Sequence, residues 1–237
     1  KEDIWNDQGN ALKLFDQLAV VDGDMDSEHT AELRKLLTDI TDPTKNILNK
    51  FKVYLNSEAK KNGGVAIPYG KDPKIIINYS TSNTTNEGMS AAEVYVHEMI
   101  HMSMEVGKEF KKGDVASTLA DLHRVHEIAA QKITVEDLIE NGDIARAERM
   151  WNYMFANEEN GLSEFMAYAM TNKRLKDRLK EIPAKKIRDD LPLKTMWDWA
   201  TWGIIKLFRV LEDVKNWKSD HDKMDERVGK LVTELWE

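Results

Sequence analysis

Two histidines one helical turn apart are the strongest chemical signal in this sequence. They occur in the segment His97-Glu98-Met99-Ile100-His101. Residues four apart in an α-helix lie on the same face, about 6 Å apart along the axis, so both imidazoles can bind one metal ion. Glu98 projects about 100° round the helix from His97, where a carboxylate can hold a metal-bound water without itself binding the metal. The segment therefore predicts a metal site with a general base beside it.

A third protein ligand for this metal has to come from elsewhere in the chain. The sequence contains no cysteine, so disulfides and thiol catalysis are excluded, and zinc would be held by histidines and carboxylates. Glu105 continues the spacing, but it lies about 12 Å along the helix from His97, whereas zinc ligands lie about 2 Å from the metal. Glu164 is the best candidate, because a carboxylate on an otherwise apolar helix is costly unless a cation pairs with it. Glu158 and Glu159 are the fallback ligands.

The elements that must position these residues are mainly helical. Hydrophobic residues recur at helical spacing through most of the chain. Two short β-type runs, 65–69 and 75–79, flank a Gly/Pro-containing turn and predict a hairpin just before the helix that carries His97. Residues that commonly cap helices, among them Asp26 or Ser27, Ser90, Asp114 and Ser163, help to set the boundaries. The predicted helices cover residues 11–20, 27–40, 43–63, 91–107, 114–133, 135–141, 143–157 and 164–171, with further helices after Pro183.

Length and composition suit a globular chain with a sizeable core. The chain has 237 residues, of which 41% are hydrophobic and 32% charged. We predict a mainly helical α+β fold in two parts. Residues 1–110 would hold the N-terminal helices, the hairpin and the active-site helix, and residues 111–237 would form a helical subdomain that supplies the third metal ligand.

The ends of the chain and its hydropathy bear on location. No run of about 18 apolar residues is present, so no membrane-spanning segment is predicted. The chain begins at Lys1 without the apolar core of a signal peptide, which predicts that no signal peptide directs its secretion. We expect a segment of a longer polypeptide.

The charge balance argues against nucleic acid as the main partner. The formal net charge is −8, which disfavours sequence-independent binding to phosphates. The segment from Lys173 to Arg188, here called the basic segment, runs against this balance with eight basic and two acidic residues. We interpret it as a solvated helix face. A domain that contacts nucleic acid through the basic segment is the third-ranked hypothesis.

The combination of His97-Glu98-x-x-His101 with a downstream helical glutamate resembles the zincin metallopeptidases whose third zinc ligand is glutamate. The resemblance implies a zincin-like fold and Zn²⁺ held by His97, His101 and Glu164. One position departs from the pattern. Many such proteins carry aspartate four residues after the ligand glutamate, where it orients a zinc-bound histidine. This chain has Tyr168 there.

More narrowly, the order of segments resembles the metallopeptidase-like domains embedded in large phage polyvalent proteins. After the hairpin and the histidine pair come the segments Glu164-Phe165-x-Ala167 and Thr171-Asn172, then the leucines of 175–179. Helices that carry tryptophan follow Leu191. The resemblance spans about residues 10 to 236 and implies a phage origin, with the virion or the host cytoplasm as locations.

The resemblance also implies a mechanism. Zinc lowers the pKa of a bound water from about 15.7 to about 7, and Glu98 would accept the water proton and return it to the leaving amine. A hydrogen-bond donor would polarise the scissile carbonyl. Tyr168 is the preferred donor, and Tyr153, His126 and His123 complete the shortlist.

The leading hypothesis is therefore a zinc-dependent endopeptidase. Its partner would be a peptide or protein substrate, with its own parent polypeptide as one candidate and no membrane involved. We expect Ile75–Tyr79 to be the edge strand along which an extended peptide aligns. The alternative is a non-catalytic, zincin-like structural module of a virion or injected phage protein. An intact Glu98 favours the enzyme, because a structural module has no need of a general base.

Overall fold

The structure is a computed structural model. The part of the chain that it describes contains nine helices and four strands. That part comprises residues 3–4, 11–22, 27–40, 52–56, 58–68, 74–80, 89–109, 113–184, 187 and 191–212. The strands are β1 (Asp3–Ile4), β2 (Lys52–Asn56), β3 (Glu58–Ile67) and β4 (Lys74–Ser80). The helices are α1 (Ala11–Asp22), α2 (Glu28–Ile40), α3 (Ala91–Glu109), α4 (Gly113–Ala130), α5 (Val135–Leu138), α6 (Ile144–Phe155), α7 (Gly161–Thr171), α8 (Lys173–Glu181) and α9 (Met196–Glu212).

The four strands form one mixed sheet in the order β1-β2-β4-β3. Strands β3 and β4 pair antiparallel, with Val65 opposite Ile76 and Ile67 opposite Lys74. This confirms the predicted hairpin. Strand β2 pairs parallel with β4 on its other side.

The position of β4 corrects the prediction of an edge strand at Ile75–Tyr79. Because β2 and β3 both pair with β4, its backbone donors and acceptors are used within the sheet. Among the described strands, β3 lies at one edge of the sheet and β1 at the other. The short β-type runs predicted the pairing of β3 with β4, but they held no information about a third partner from earlier in the chain.

The predicted helix over 43–63 is wrong over the residues that the structure describes. Residues 52–56 belong to β2 and 58–63 to β3, while 43–51 and 57 lie outside the described residues. Val53 and Leu55 are buried and alternate with half-buried neighbours, which is the two-residue period of a strand. Pairing with β4 supplies hydrogen bonds that outweigh the local helical propensity of the Glu58–Lys61 sequence.

The other predicted helices are confirmed within a few residues wherever the structure describes them, and residues 213–237 lie outside the described part. Ser27 Oγ accepts from the backbone N–H of Thr30 at the start of α2, and Asp143 caps α6. Asp114, by contrast, lies in the first turn of α4 and does not cap it. Within 113–184, 187 and 191–212 no strand occurs, and the one β-bridge joins Pro183 to Thr195. None of the described helices combines the length and apolar character needed to cross a bilayer.

Helix α3 is at the centre of the fold. It packs against α1, α7 and α9 and against the hairpin strands β3 and β4. Most of its described side chains are buried, among them Val96, Ile100 and Met104, as expected of a helix enclosed by neighbours. The hydrophobic core draws on residues from both sides of position 110. The mainly helical α+β class is confirmed, and the division into two parts stays a prediction.

Candidate functional site

His97, Glu98 and His101 lie in the middle of α3, and a capping box fixes the start of this helix. Ser90 Oγ accepts from the backbone N–H of Glu93 at 3.1 Å, and the Glu93 carboxylate accepts from the N–H of Ser90 at 2.6 Å. His97 and Glu98 are each only 7% exposed. The helix thus carries polar groups into the interior, where each needs a partner.

Three possible ligand atoms converge beside α3. Nε2 of His97 and Nε2 of His101 are 3.0 Å apart. Oε2 of Glu164 lies 3.7 Å from the first nitrogen and 3.5 Å from the second. A point equidistant from three atoms at these separations is about 2 Å from each, which matches zinc bonds to histidine and carboxylate. Within the described part of the chain, these residues form the one group of histidine and carboxylate side chains that could hold a metal ion.

Two hydroxyl groups of α7 contact the other ring nitrogen of each histidine. Ser163 Oγ lies 2.7 Å from Nδ1 of His101, and Thr171 Oγ1 lies 3.4 Å from Nδ1 of His97. The Thr171 hydroxyl donates its hydrogen to the carbonyl of Ala167, so it can only accept from His97. This arrangement places the proton of His97 on Nδ1 and leaves the lone pair of Nε2 for a metal.

The contact between the two imidazoles is compatible with a shared proton or with a metal ion between them. With its proton on Nδ1, His97 directs a lone pair from Nε2 toward Nε2 of His101 at 3.0 Å. Two lone pairs at this distance repel each other unless a proton or a metal ion lies between them. Glu164 adds a negative charge on the same side. Two imidazoles and one carboxylate are a donor set that catalytic zinc sites use.

Glu164 is an anion at neutral pH. Burial alone would raise the pKa of Glu164, but its contacts with His101 and His97 lower that pKa to about 2. The pKa of His101 shifts in the opposite direction. Burial would lower the pKa of its imidazole, and the contact with negatively charged Glu164 outweighs burial and raises it. The carboxylate therefore needs no deprotonation before it can bind a cation.

Strand β3 positions Glu98. The carboxylate accepts a hydrogen bond from the backbone of Ala66. Gly64 packs against the same side chain, since a Cβ at this position would lie 2.4 Å from Cγ and 2.7 Å from Oε1 of Glu98. Burial raises the pKa of Glu98, and the nearby His97 and His101 oppose that rise. A buried carboxylate beside the ligand group, with a raised pKa, is suited to accept and return a proton.

The possible ligands and Glu98 face a cavity of about 550 Å³. Tyr168 and Tyr153, two of the four candidate carbonyl donors, line this cavity. The ring of Tyr168 contacts the ring of His97 edge-on, with the centroids 4.8 Å apart. Tyr153 is 47% exposed.

The other two candidate donors lie elsewhere. Nε2 of His126 is 2.7 Å from the carbonyl oxygen of Met154, and its ring stacks on Phe155. His123 lines a separate cavity between α4 and the start of α7. The structure therefore brings the two tyrosines to the candidate site and leaves the two histidines outside its lining.

The alternative metal ligands are also separated from the histidine pair. Glu158 and Glu159 lie exposed in the turn between α6 and α7, outside the group that could hold a metal. Glu105 lines the 550 Å³ cavity and forms an ion pair with Lys108 at 2.5 Å. Of the candidate acids, the fold brings Glu164 to the histidines.

Helix α7 begins earlier than the sequence predicted, and Ser163 does not cap it. The helix starts at Gly161, after Asn160, so Ser163 lies in the first turn. A Cβ at Gly161 would lie 2.7 Å from the carbonyl oxygen of Met154, which explains why α7 starts with glycine against the end of α6. The Ser163 hydroxyl contacts His101 instead.

Sequence analysis missed Ser163 and Thr171 as histidine partners, although α7 contains a signal for them. Its sequence is otherwise apolar, and its polar side chains are Ser163, Glu164, Tyr168 and Thr171. At 100° per residue these four positions fall within a stripe about 140° wide. A polar stripe on a buried helix predicts a shared polar partner.

The basic segment is not simply a solvated face. Lys176 is only 3% exposed and forms an ion pair with Glu32 of α2. Arg178 forms an ion pair with Asp137 at 3.2 Å, and Arg174 donates to the backbone carbonyl of the same residue. In the described part of the segment, these cations hold α8 against α2 and α5.

Replacement of Ser163 should weaken metal binding. In Ser163→Ala the Nδ1 atom of His101 loses its partner, and loss of such a partner costs metal affinity by about 10- to 100-fold. Competition titration of Zn²⁺ against a chelating dye measures the change. Ser103→Ala is the matched control, because Ser103 is equally buried but bonds to the carbonyl of Ile100. Equal affinities of wild type and Ser163→Ala would contradict the assigned role.

Comparison of the chain with protein-family models, with curated proteins and with solved structures finds no match. The resemblance to zincin metallopeptidases therefore rests on the chain's own residues. Their geometry gives a group of two histidines and one glutamate that could hold a metal ion, with a second glutamate beside it.

Proposed function

We propose that this chain is a zinc-dependent endopeptidase domain with a zincin-like arrangement. One observation carries the proposal: Nε2 of His97, Nε2 of His101 and Oε2 of Glu164 converge on one point beside the buried carboxylate of Glu98. A site that only bound metal would not need that fourth group. The succession of edge strand, histidine-bearing helix and glutamate-bearing helix supports the same proposal.

The proposed chemistry divides between the metal and the chain. Zinc, held by His97, His101 and Glu164, would acidify a water molecule and polarise the scissile carbonyl. Glu98 accepts a proton from the attacking water on its carboxylate and returns it to the leaving amine. The bond between carbonyl carbon and amide nitrogen breaks, and the products are a carboxylate and an amine. The Ala66 contact holds the Glu98 carboxylate for both transfers.

Tyr168 is the proposed donor to the carbonyl oxygen. Its side chain lines the cavity, and its ring contacts the metal-binding histidine His97. It is nearly fully buried, so its ring is held in place, whereas Tyr153 is about half exposed. A fixed donor stabilises developing negative charge better than a mobile one, because it needs no reorganisation during the reaction.

The proposed substrate is an extended peptide that adds to the edge of β3. Residues 63–66 of this strand line the cavity, and β3 lies at the edge of the described sheet. Backbone pairing along an edge strand binds a peptide through its main chain and brings it past the metal ligands. This assignment replaces β4, whose two sides are occupied by β2 and β3.

Zinc content tests the ligand set. Wild-type protein purified with zinc should hold one ion per chain, and Glu164→Ala should lose it because two histidines alone are an incomplete site. Elemental analysis gives the stoichiometry. Glu159→Ala is the matched control, since Glu159 is an exposed acid five residues away. Zinc loss in Glu159→Ala with retention in Glu164→Ala would show that the wrong acid was assigned.

Replacement of the base tests catalysis. Glu98→Gln keeps the size of the side chain but removes the proton acceptor, so it should keep zinc and lose peptide turnover by about 10²-fold or more. Cleavage is measured with a broad peptide library and with the junctions of the parent polypeptide. Equal cleavage by wild type and Glu98→Gln would remove Glu98 from the mechanism. Zinc binding without cleavage of any substrate would favour the non-catalytic module.

Two adjacent glycines offer a sharper test of how Glu98 is positioned. In Gly64→Ala the new Cβ would occupy the space of the Glu98 side chain and displace its carboxylate, whereas a Cβ at Gly63 meets nothing within 4 Å. Gly64→Ala should therefore lose turnover by about tenfold or more with zinc affinity unchanged, and Gly63→Ala should keep it. Equal turnover in the two variants would contradict the role of β3.

A further inference from the structure

His29 of α2 contacts both of the helices that carry the proposed metal ligands. Its Nε2 atom is 3.0 Å from Oε1 of Glu93, which lies in the first turn of α3. The same atom is 2.9 Å from the backbone carbonyl oxygen of Thr171, the last residue of α7. The side chains of His29 and Glu93 are only 14% and 16% exposed. One imidazole from a third helix therefore joins the start of α3 to the end of α7.

Nε2 of His29 is the hydrogen-bond donor in both contacts. A carboxylate and a backbone carbonyl can only accept, so the hydrogen lies on Nε2 and is shared between them. Burial would lower the pKa of His29, but its contacts with Glu93 and with the Thr171 carbonyl raise that pKa. Nδ1 of the same ring is buried and has no hydrogen-bond partner among the described residues. The polar role of this side chain therefore depends on a single N–H group.

Both acceptors of His29 have a second contact within the framework of the candidate site. Oε2 of Glu93 accepts from the backbone N–H of Ser90 in the capping box that starts α3. The hydroxyl of Thr171 lies 3.4 Å from Nδ1 of His97. Because Thr171 ends α7, its carbonyl has no donor within that helix, and His29 supplies one from outside. His29 thus contacts one residue that fixes the start of α3 and one that contacts a proposed metal ligand.

A second contact from the same face of α2 holds the end of α7. Glu32 lies three residues after His29, so the two side chains share a face of α2. Glu32 forms an ion pair with the buried Lys176 of α8. Helix α8 follows α7 after the single residue Asn172, whose side chain caps α8. Two contacts from α2 therefore fix the junction of α7 and α8, and one of them extends to α3.

We propose that His29 is a positioning residue for the metal site, because its two hydrogen bonds hold the start of α3 against the end of α7. The distance between the histidine pair on α3 and Glu164 on α7 depends on how these two helices lie against each other. Groups that bind a metal must be held within about 0.5 Å of the productive geometry, so a small shift of α7 weakens the site. His29 acts through Glu93 and Thr171. The proposal rests on the zinc site proposed above.

The zinc affinity of two His29 variants tests the proposal. His29→Leu fills the space but donates no hydrogen bond, so zinc affinity should fall by about tenfold or more, the loss expected when support behind the ligands is removed. In His29→Gln an amide nitrogen with two N–H groups can reach the position of Nε2, so its zinc affinity should stay within about threefold of wild type. Competition titration of Zn²⁺ against a chelating dye gives the dissociation constants.

Trp151→Phe is the matched control for a loss of stability alone. Nε1 of Trp151 donates to the backbone carbonyl of Ile133 at 3.0 Å, so this variant also removes a hydrogen bond from a ring N–H to a distant carbonyl. Trp151→Phe should lower the thermal midpoint of the zinc-free protein, as His29→Leu does, yet keep the zinc affinity of wild type. Equal zinc affinities in His29→Leu and His29→Gln would overturn the positioning role, because the N–H group would then not matter.

Glu93→Gln disrupts the same contact from α3 and decides the question if His29→Leu does not fold. One amide oxygen cannot replace both carboxylate oxygens, so the contact with His29 or that with Ser90 is lost, and zinc affinity should again fall by about tenfold. Failure of the wild type to bind zinc would overturn the metal site and the role of His29 together. A wild type that binds zinc, with unchanged affinity in His29→Leu and Glu93→Gln, would overturn only the role of His29.

Discussion

The burial of three polar side chains on one central helix is the constraint on which this structure depends. Helix α3 is enclosed by other helices and by the hairpin, yet it carries His97, Glu98 and His101. Removal of such groups from water costs several kcal/mol each unless partners replace the lost hydration. The fold supplies those partners from helix α7 and from strand β3. Each partner also determines which proton or metal contact its polar group can make.

Helix α7 supplies one set of partners. Its single polar stripe contributes a carboxylate from Glu164, hydroxyls from Ser163 and Thr171, and the ring of Tyr168. The apolar remainder of α7 is buried, so the stripe cannot turn away without exposing the core. Strand β3 supplies the other partner, the backbone contact that holds Glu98. The candidate site thus depends on the packing of α3 against two elements distant in sequence.

Position 168 is tyrosine here, where many zincins of the glutamate type have aspartate, and the contacts of helix α7 offer a physical explanation for this difference. Zincins of the glutamate type often use an aspartate at that position to orient a histidine ligand. Here hydroxyl groups contact Nδ1 of both histidines, and Tyr168 faces the cavity. The Thr171 hydroxyl donates its hydrogen to the carbonyl of Ala167, so it can only accept from His97, as a carboxylate would, but it adds no charge. The acids that lie beside the two histidines are Glu164 and Glu98.

The sequence by itself determined the local features: the capped helix with its histidine pair, the β3–β4 hairpin and the acid on an apolar helix. Each depends on residues close together in the chain, whose spacing fixes their geometry. Only the tertiary structure decided that β2 joins the sheet, that β3 and not β4 lies at an edge, and that Ser163 contacts His101. It also brings Glu164, and not Glu158 or Glu159, to the two histidines. These outcomes depend on packing between distant segments, because burial and pairing there outweigh local propensity.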